Sequence, residues 1–202
     1  MRHAQIDDII AFVNKSGRNT LTLIRWGGAT AVLASLSYAA AGYLHKPDMS
    51  GYVSALVTLL IVTTPALFLG GLLGLGLLLL GRERNVIVAT GLLLGSLGAI
   101  WGAIEAVGLG WASGLSSPGD WWLALLFAGL TLMGIAALAE KTLQRLGALV
   151  LTSGMLGWVS LLTDPAFPGV LVPMRPVHVV FAALFCLSAV VWGCVVVLKS
   201  SG

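Results

Sequence analysis

The sequence predicts an all-α polytopic membrane protein: a bundle of six transmembrane helices, preceded by an amphipathic interfacial helix at the N-terminus. Three observations predict it. First, 58% of the 202 residues are hydrophobic and only 9% are charged, whereas a soluble domain carries about 25% charged residues. A chain this apolar cannot cover a water-facing surface, so lipid has to be its solvent. Second, the apolar residues fall into six stretches long enough to cross a bilayer. Third, nearly all Lys and Arg residues lie on one side of those stretches. The links are too short for a second globular unit. The chain therefore divides into a cytoplasmic segment, 1–20, and a transmembrane domain, 21–202. The net charge of +3 reads as loop charge that orients the protein in the membrane, not as a nucleic-acid surface.

Residues 1–20 are polar and mixed in charge. Within them Ile6, Ile9, Ile10 and Val13 recur at i, i+3, i+4 and i+7, one face of a helix. Asp7 and Asp8 come early, where a helix N-terminus favours anions. Ser16-Gly17 is the expected stop, and Lys15 and Arg18 suit lipid headgroups. The segment is expected to lie along the membrane surface. Ala39-Ala40-Ala41 resembles a small-residue cleavage site, but the region before it is too long and too acidic for a signal sequence. The first span, about 24–44, is therefore read as a retained anchor.

The second span runs over about 53–80. At 1.5 Å per residue it reaches about 42 Å, against a hydrocarbon core of about 30 Å. It must tilt, kink or protrude. Pro65, after Thr63-Thr64, is the natural kink because it removes a backbone donor and crowds the preceding turn. A polar turn at Arg82–Asn85 leads to the third span, about 86–109. A Ser/Gly/Pro loop over 112–120 leads to the fourth, about 121–139. A charged turn at Glu140–Arg145 leads to the fifth, about 146–162. Pro165, Pro168, Pro173 and Pro176 exclude regular helix from the next segment, whose apolar middle suits the interface or a fold back over the bundle. The sixth span is about 177–198. Shifting the second and third spans onto the fourth and fifth aligns Glu83 with Glu140, Arg84 with Lys141 and Trp101 with Trp158. That fits a duplicated hairpin, although the remaining identities are mostly leucine.

Of the 11 Lys and Arg residues, all but Lys46 and Arg175 fall in the N-terminal segment, in the links after the second and fourth spans, or at the C-terminus. The bias places both termini in the cytoplasm, which an even number of spans allows, and it fits a bacterial inner membrane. Tyr43, Tyr52, Trp111, Trp121 and Trp122 then form an aromatic belt at the outer boundary.

The third span is the most patterned. Gly91, Gly95, Gly98 and Gly102 share one face, where small residues let another helix approach closely. Gly70 and Gly74 in the second span, and Gly28, Ala31 and Ser35 in the first, are the expected counterparts. Glu105 follows on the same side, is expected to point at protein, and is the only acid well inside a span. An intramembrane carboxylate marks a functional site by default. One that changes protonation can couple to a proton or bind a cation, so Glu105 is the transport candidate. A structural role competes with that reading, because Glu105 lies close to the outer end of its span.

A second constellation lies at the outer ends. His45, His178 and Asp164 are the candidate metal ligands, although no short motif spacing links them. No cofactor is expected: haem would need histidines in mid-span. Cys186 and Cys194 stand about 12 Å apart on one helix, too far for a disulfide, and read as small packing residues. Bundle packing also accounts for Trp101, Trp158, Met155 and Met174. Neither G-x-S-x-G nor H-E-x-x-H occurs, and no Ser/His pair lies within a span, so an enzyme is not expected. Three functions stay open. The first is a non-enzymatic accessory or oligomeric subunit acting through helix packing, its partners the lipid bilayer, further copies or another membrane subunit. The second is a small proton- or cation-coupled transporter or channel. The third is an outer-face metal-binding or sensor protein.

Overall fold

The computed structural model describes residues 2–44, 51–80, 85–111, 121–164 and 175–199, with side chains described from Asn19 onward except at 42, 54, 85, 109–111, 175, 176 and 199. It contains six helices: α1 (Arg2–Leu44), α2 (Tyr52–Leu79), α3 (Asn85–Trp111), α4 (Trp121–Leu138), α5 (Gln144–Thr163) and α6 (Arg175–Lys199). No strand occurs among the described residues. Five of the helices are long and apolar enough to cross a membrane: Ala55–Leu79, Val86–Gly108, Trp121–Leu138, Gln144–Thr163 and Val177–Leu198. The protein is a helical membrane bundle of these five plus α1.

α1 departs from the expectation of a short surface helix followed by a separate span. It is one helix of 43 residues, about 65 Å long at 1.5 Å per residue. Ser16-Gly17 does not stop it. No proline precedes Pro47, so no backbone donor is missing along its length, and Ser and Gly only weaken a helix. Its first half carries Arg2, His3, Asp7, Asp8, Lys15 and Arg18, which makes it as a whole the least apolar of the six. α2 likewise continues through Pro65. In the turn before the proline, Thr63 Oγ1 donates to Leu59 O at 2.8 Å and Thr64 Oγ1 to Leu60 O at 2.7 Å. These hydroxyls bind carbonyls at the place where the ladder is weakened. Gly51, which precedes α2, has φ 61°, a conformation that favours glycine.

Each helix packs on its chain neighbours, and α6 returns to α1. The six form a closed ring. In lipid no hydrophobic force draws helices together, because acyl chains are as apolar as leucine. Close backbone approach and side-chain interlock must do it. The glycines supply the approach. A Cβ on Gly74 would lie 2.5 Å from Gly27 Cα, which fixes α1 against α2. A Cβ on Gly28 would lie 2.7 Å from Gly193 O, which fixes α1 against α6. Gly70 and Gly74 thus face α1 and not the glycine face of α3. Helical spacing identifies a face, but not the helix it meets.

The middle of the ring is filled by aromatic rings from the even-numbered helices. Phe185 of α6 stands 5.0 Å from Phe127 of α4 and 5.9 Å from Phe68 of α2, with Tyr38 of α1 edge-on at 6.3 Å. Leu72, Leu75, Leu126, Leu130, Met133 and Val150 continue this core. Across α5 and α6, Ser153 Oγ and Ser188 Oγ are 2.7 Å apart. One hydroxyl donates to the other, and both lie beside helix carbonyls, Leu149 O and Phe185 O. Ser188→Ala is expected to cost about 0.6 kcal/mol, and no more than about 1.7, the range of interhelical hydrogen bonds in lipid. Thermal unfolding in detergent measures it. A small loss is expected because the remaining Ser153 hydroxyl keeps Leu149 O as its acceptor.

Candidate functional site

The helix that carries Glu105 presents three kinds of surface. Gly91, Gly95, Gly98 and Gly102 are buried. A Cβ on Gly91 would meet Gly129 O at 2.9 Å, and one on Gly98 would meet Trp122 O at 2.5 Å, both backbone atoms of α4. Gly95 lies against the Leu72 side chain of α2, and Gly102 against the Trp122 ring. The opposite side is exposed and bulky: Leu93, Leu97, Ile100 and Ile104. Glu105 lies on the flank between these two sides, half-buried.

One turn before it, Trp101 is 52% exposed, so it projects from the bundle and does not pack within it. Its Nε1–H donates to Glu105 Oε1 at 2.6 Å. The pair explains itself. An indole N–H turned toward lipid needs an acceptor, and the side chain four residues on supplies one. Both residues stand out in the sequence and their i, i+4 spacing is legible there. Met155, at 55% exposed, also faces outward. Cys186 is buried as expected, whereas Cys194 is exposed; both are free thiols.

The second candidate set gathers where α5 ends and α6 begins. His178 stands in the first turn of α6. Its Nδ1 lies 2.9 Å from the Ser160 carbonyl oxygen and 3.2 Å from Ser160 Oγ. A carbonyl only accepts, so Nδ1 carries a hydrogen and donates it. That bond ties α6 to the last turn of α5, where the Ser160 carbonyl also accepts from Thr163 Oγ1 at 3.0 Å. Nε2 then faces Asp164 Oδ2 at 3.8 Å, with the two side chains 24% and 20% exposed. The expectation that no Ser/His pair lies within the spans is corrected here. Ser160 and His178 are 18 residues apart in sequence, and the chain returns through the proline-rich segment to bring them together.

The wiring does not make a hydrolase triad. A Ser-His-Asp nucleophile needs the basic nitrogen at the serine and the N–H at the carboxylate. Here the nitrogen beside Ser160 carries the hydrogen, and Ser160 is only 5% exposed. Of the other proposed ligands, His45 lies outside the described residues. The helix that His45 follows, α1, does pack against α6. Among the described residues no three His, Cys, Asp or Glu side chains converge on one point.

One polar atom of the core went unnoticed in the sequence. Trp192 is 1% exposed, and its Nε1–H has no acceptor among the described residues. Leaving such a donor unmade costs about 1–3 kcal/mol, which the packing of the ring around it must offset. No protein-family model, curated protein or solved structure gives a significant match to this chain.

Proposed function

We propose that the protein is a non-enzymatic membrane subunit, an accessory or oligomeric component, that acts by packing against further membrane helices. The observation that carries this reading is the place of the Trp101–Glu105 pair. Glu105 is the only acid within the described spans, and it lies beside the lipid-facing side of α3. Even near the outer end of its span, a carboxyl group beside lipid is costly unless a polar partner covers it. An adjoining transmembrane helix with a donor satisfies the remaining oxygen, and the bulky surface of Leu97, Ile100 and Ile104 gives it something to interlock with. In this reading α1 supplies a sixth crossing, both termini are cytoplasmic, and the bias of Lys and Arg fits a bacterial inner membrane.

Transport finds less support. The middle of the ring is occupied by Phe68, Phe127 and Phe185, and Glu105 stands on its rim. Native mass spectrometry after gentle detergent extraction tests the reading. The wild type is expected as a defined oligomer or with a second subunit, and the double variant Trp101→Phe, Glu105→Leu as a folded monomer. A wild type that is monomeric and alone removes the proposal. Loss of proton or cation flux in Glu105→Gln proteoliposomes would put transport in its place.

A further inference from the structure

We infer that Glu105 is the docking point for a basic side chain carried on a transmembrane helix of a different protein. The inference rests on the packing role proposed above and names the chemistry of the partner. It starts from a threefold repetition in the ring. A Cβ on Gly76 of α2 would lie 3.0 Å from Leu92 of α3, one on Gly134 of α4 2.5 Å from Leu151 of α5, and one on Gly193 of α6 2.9 Å from Val32 of α1. The three glycines are 58 and 59 residues apart, and Val32, Leu92 and Leu151 are 60 and 59 apart. The hairpins α1–α2, α3–α4 and α5–α6 are thus joined by one repeated contact, and Phe68, Phe127 and Phe185 meet at one level of the ring. The pair Leu72–Gly95 recurs as Thr131–Gly154, with both members shifted by 59 residues.

The same 59-residue shift carries Glu105 of α3 onto Asp164 at the end of α5. The two acids hold matching places at one end of the bundle, yet they are covered differently. Asp164 is faced by a base from the next helix: His178 Nε2 stands 3.8 Å from its Oδ2. Among the described residues Glu105 receives only the Trp101 N–H, on Oε1. Its own hairpin offers no base, because the link 112–120 contains no Lys, Arg or His. Charge complementarity therefore points outside the chain. A base from a neighbouring helix fits Glu105 as His178 fits Asp164, and a charge-assisted hydrogen bond is about twice as strong as a neutral one. Ile104 and Val107, 67% and 52% exposed, flank the carboxyl group and give that helix a surface to lie on. A second copy related by a twofold axis would bring Glu105 against Glu105, and the like charges oppose it.

The test uses the full-length protein, donor-labelled at its C-terminus, in phosphatidylcholine vesicles. The probe is an acceptor-labelled leucine–alanine transmembrane peptide with one arginine near its outer end, and the control peptide has leucine there. Energy transfer measures association. The wild type is expected to bind the arginine peptide about tenfold more tightly than the control, the factor one hydrogen bond to a charged group supplies. Glu105→Gln keeps an acceptor for Trp101. It is expected to fold, to bind the control as the wild type does, and to lose the preference. Asp164→Asn is expected to retain the preference, since His178 already faces Asp164. Binding of neither peptide by the wild type, equal binding of both, or a preference that survives in Glu105→Gln would overturn the inference. So would a preference lost in Asp164→Asn. The packing role stands or falls separately: an oligomer or a second subunit in the native mass spectrum upholds it even where the basic partner fails.

Discussion

Gly129→Val is expected to abolish the folded state, and Gly129→Ala to lower its stability by about 3 kcal/mol, the upper end of overpacking penalties. A Cβ at Gly129 would stand 2.6 Å from Gly91 O, 2.6 Å from Gly95 N and 2.7 Å from Gly95 Cα. All three are backbone atoms of α3. A clashing side chain can turn aside, but a helix backbone moves only as a whole, so even one methyl group pushes α3 and α4 apart along their contact. In lipid the separation is costly for a specific reason. The two helices are joined by dispersion and close Cα–H to carbonyl approach, and both decay steeply with distance. Gly108→Ala is the control. Nothing lies within 4 Å of a Cβ there, so the variant is expected to be neutral or more stable by about 0.5–1 kcal/mol, the helix advantage of alanine over glycine. Thermal unfolding in detergent, followed by circular dichroism, measures both. Equal melting temperatures for the two alanine variants would mean that α3 and α4 do not touch in this way.

The same glycines show where sequence reading reaches its limit. Helical spacing put Gly91, Gly95, Gly98 and Gly102 on one face because that is a property of a single helix. The residues they meet belong to another part of the chain. Gly70 and Gly74 look alike in sequence whether they face α1 or α3, and only the closed ring decides. The helix limits were legible for a similar reason. Composition along a window is local, and α4 and α6 lie within a residue or two of their expected bounds. α1 misled because Ser16-Gly17 resembles a stop, while nothing in that stretch removes a backbone donor.

The candidate sites divide along the same line. Trp101 and Glu105 sit one helical turn apart, so their hydrogen bond was within reach of spacing alone. Ser160 and His178 lie on different helices joined by a proline-rich segment, and no periodicity relates them. The core aromatics carried a signal of another kind. Phe68, Phe127 and Phe185 recur at nearly equal intervals, one on each even-numbered helix. Their intervals, 59 and 58 residues, differ from the 57-residue shift that aligns the charged turns. The phenylalanines are functionally anonymous, so a search for chemistry passes over them.

Those rings carry the second large expectation. Phe185→Ala is expected to cost about 3–4 kcal/mol, the lower part of the range for emptying a core aromatic site. The magnitude follows from what the ring touches. Phe185 is 1% exposed and meets Phe127, Phe68 and Tyr38 at 5.0, 5.9 and 6.3 Å. At about 0.5–1.5 kcal/mol for each aromatic pair, three pairs alone approach the expected loss. Leu187, two residues on and 61% exposed, gives the contrast. Its side chain exchanges lipid for lipid, and Leu187→Ala is expected to stay within about 0.5 kcal/mol of wild type. A double-mutant cycle on Phe127 and Phe185 should return a coupling of about 0.5–1.5 kcal/mol, whereas Phe185 with Leu187, which point to opposite sides, should return none. Phe185→Ala also bears on function, because it empties the centre of the ring. If the protein is a packing subunit, proteoliposomes of this variant hold a proton gradient as the wild type does. A leak that appears only when the ring is removed would mean that the aromatic residues close a pathway, and the transport reading would regain its ground.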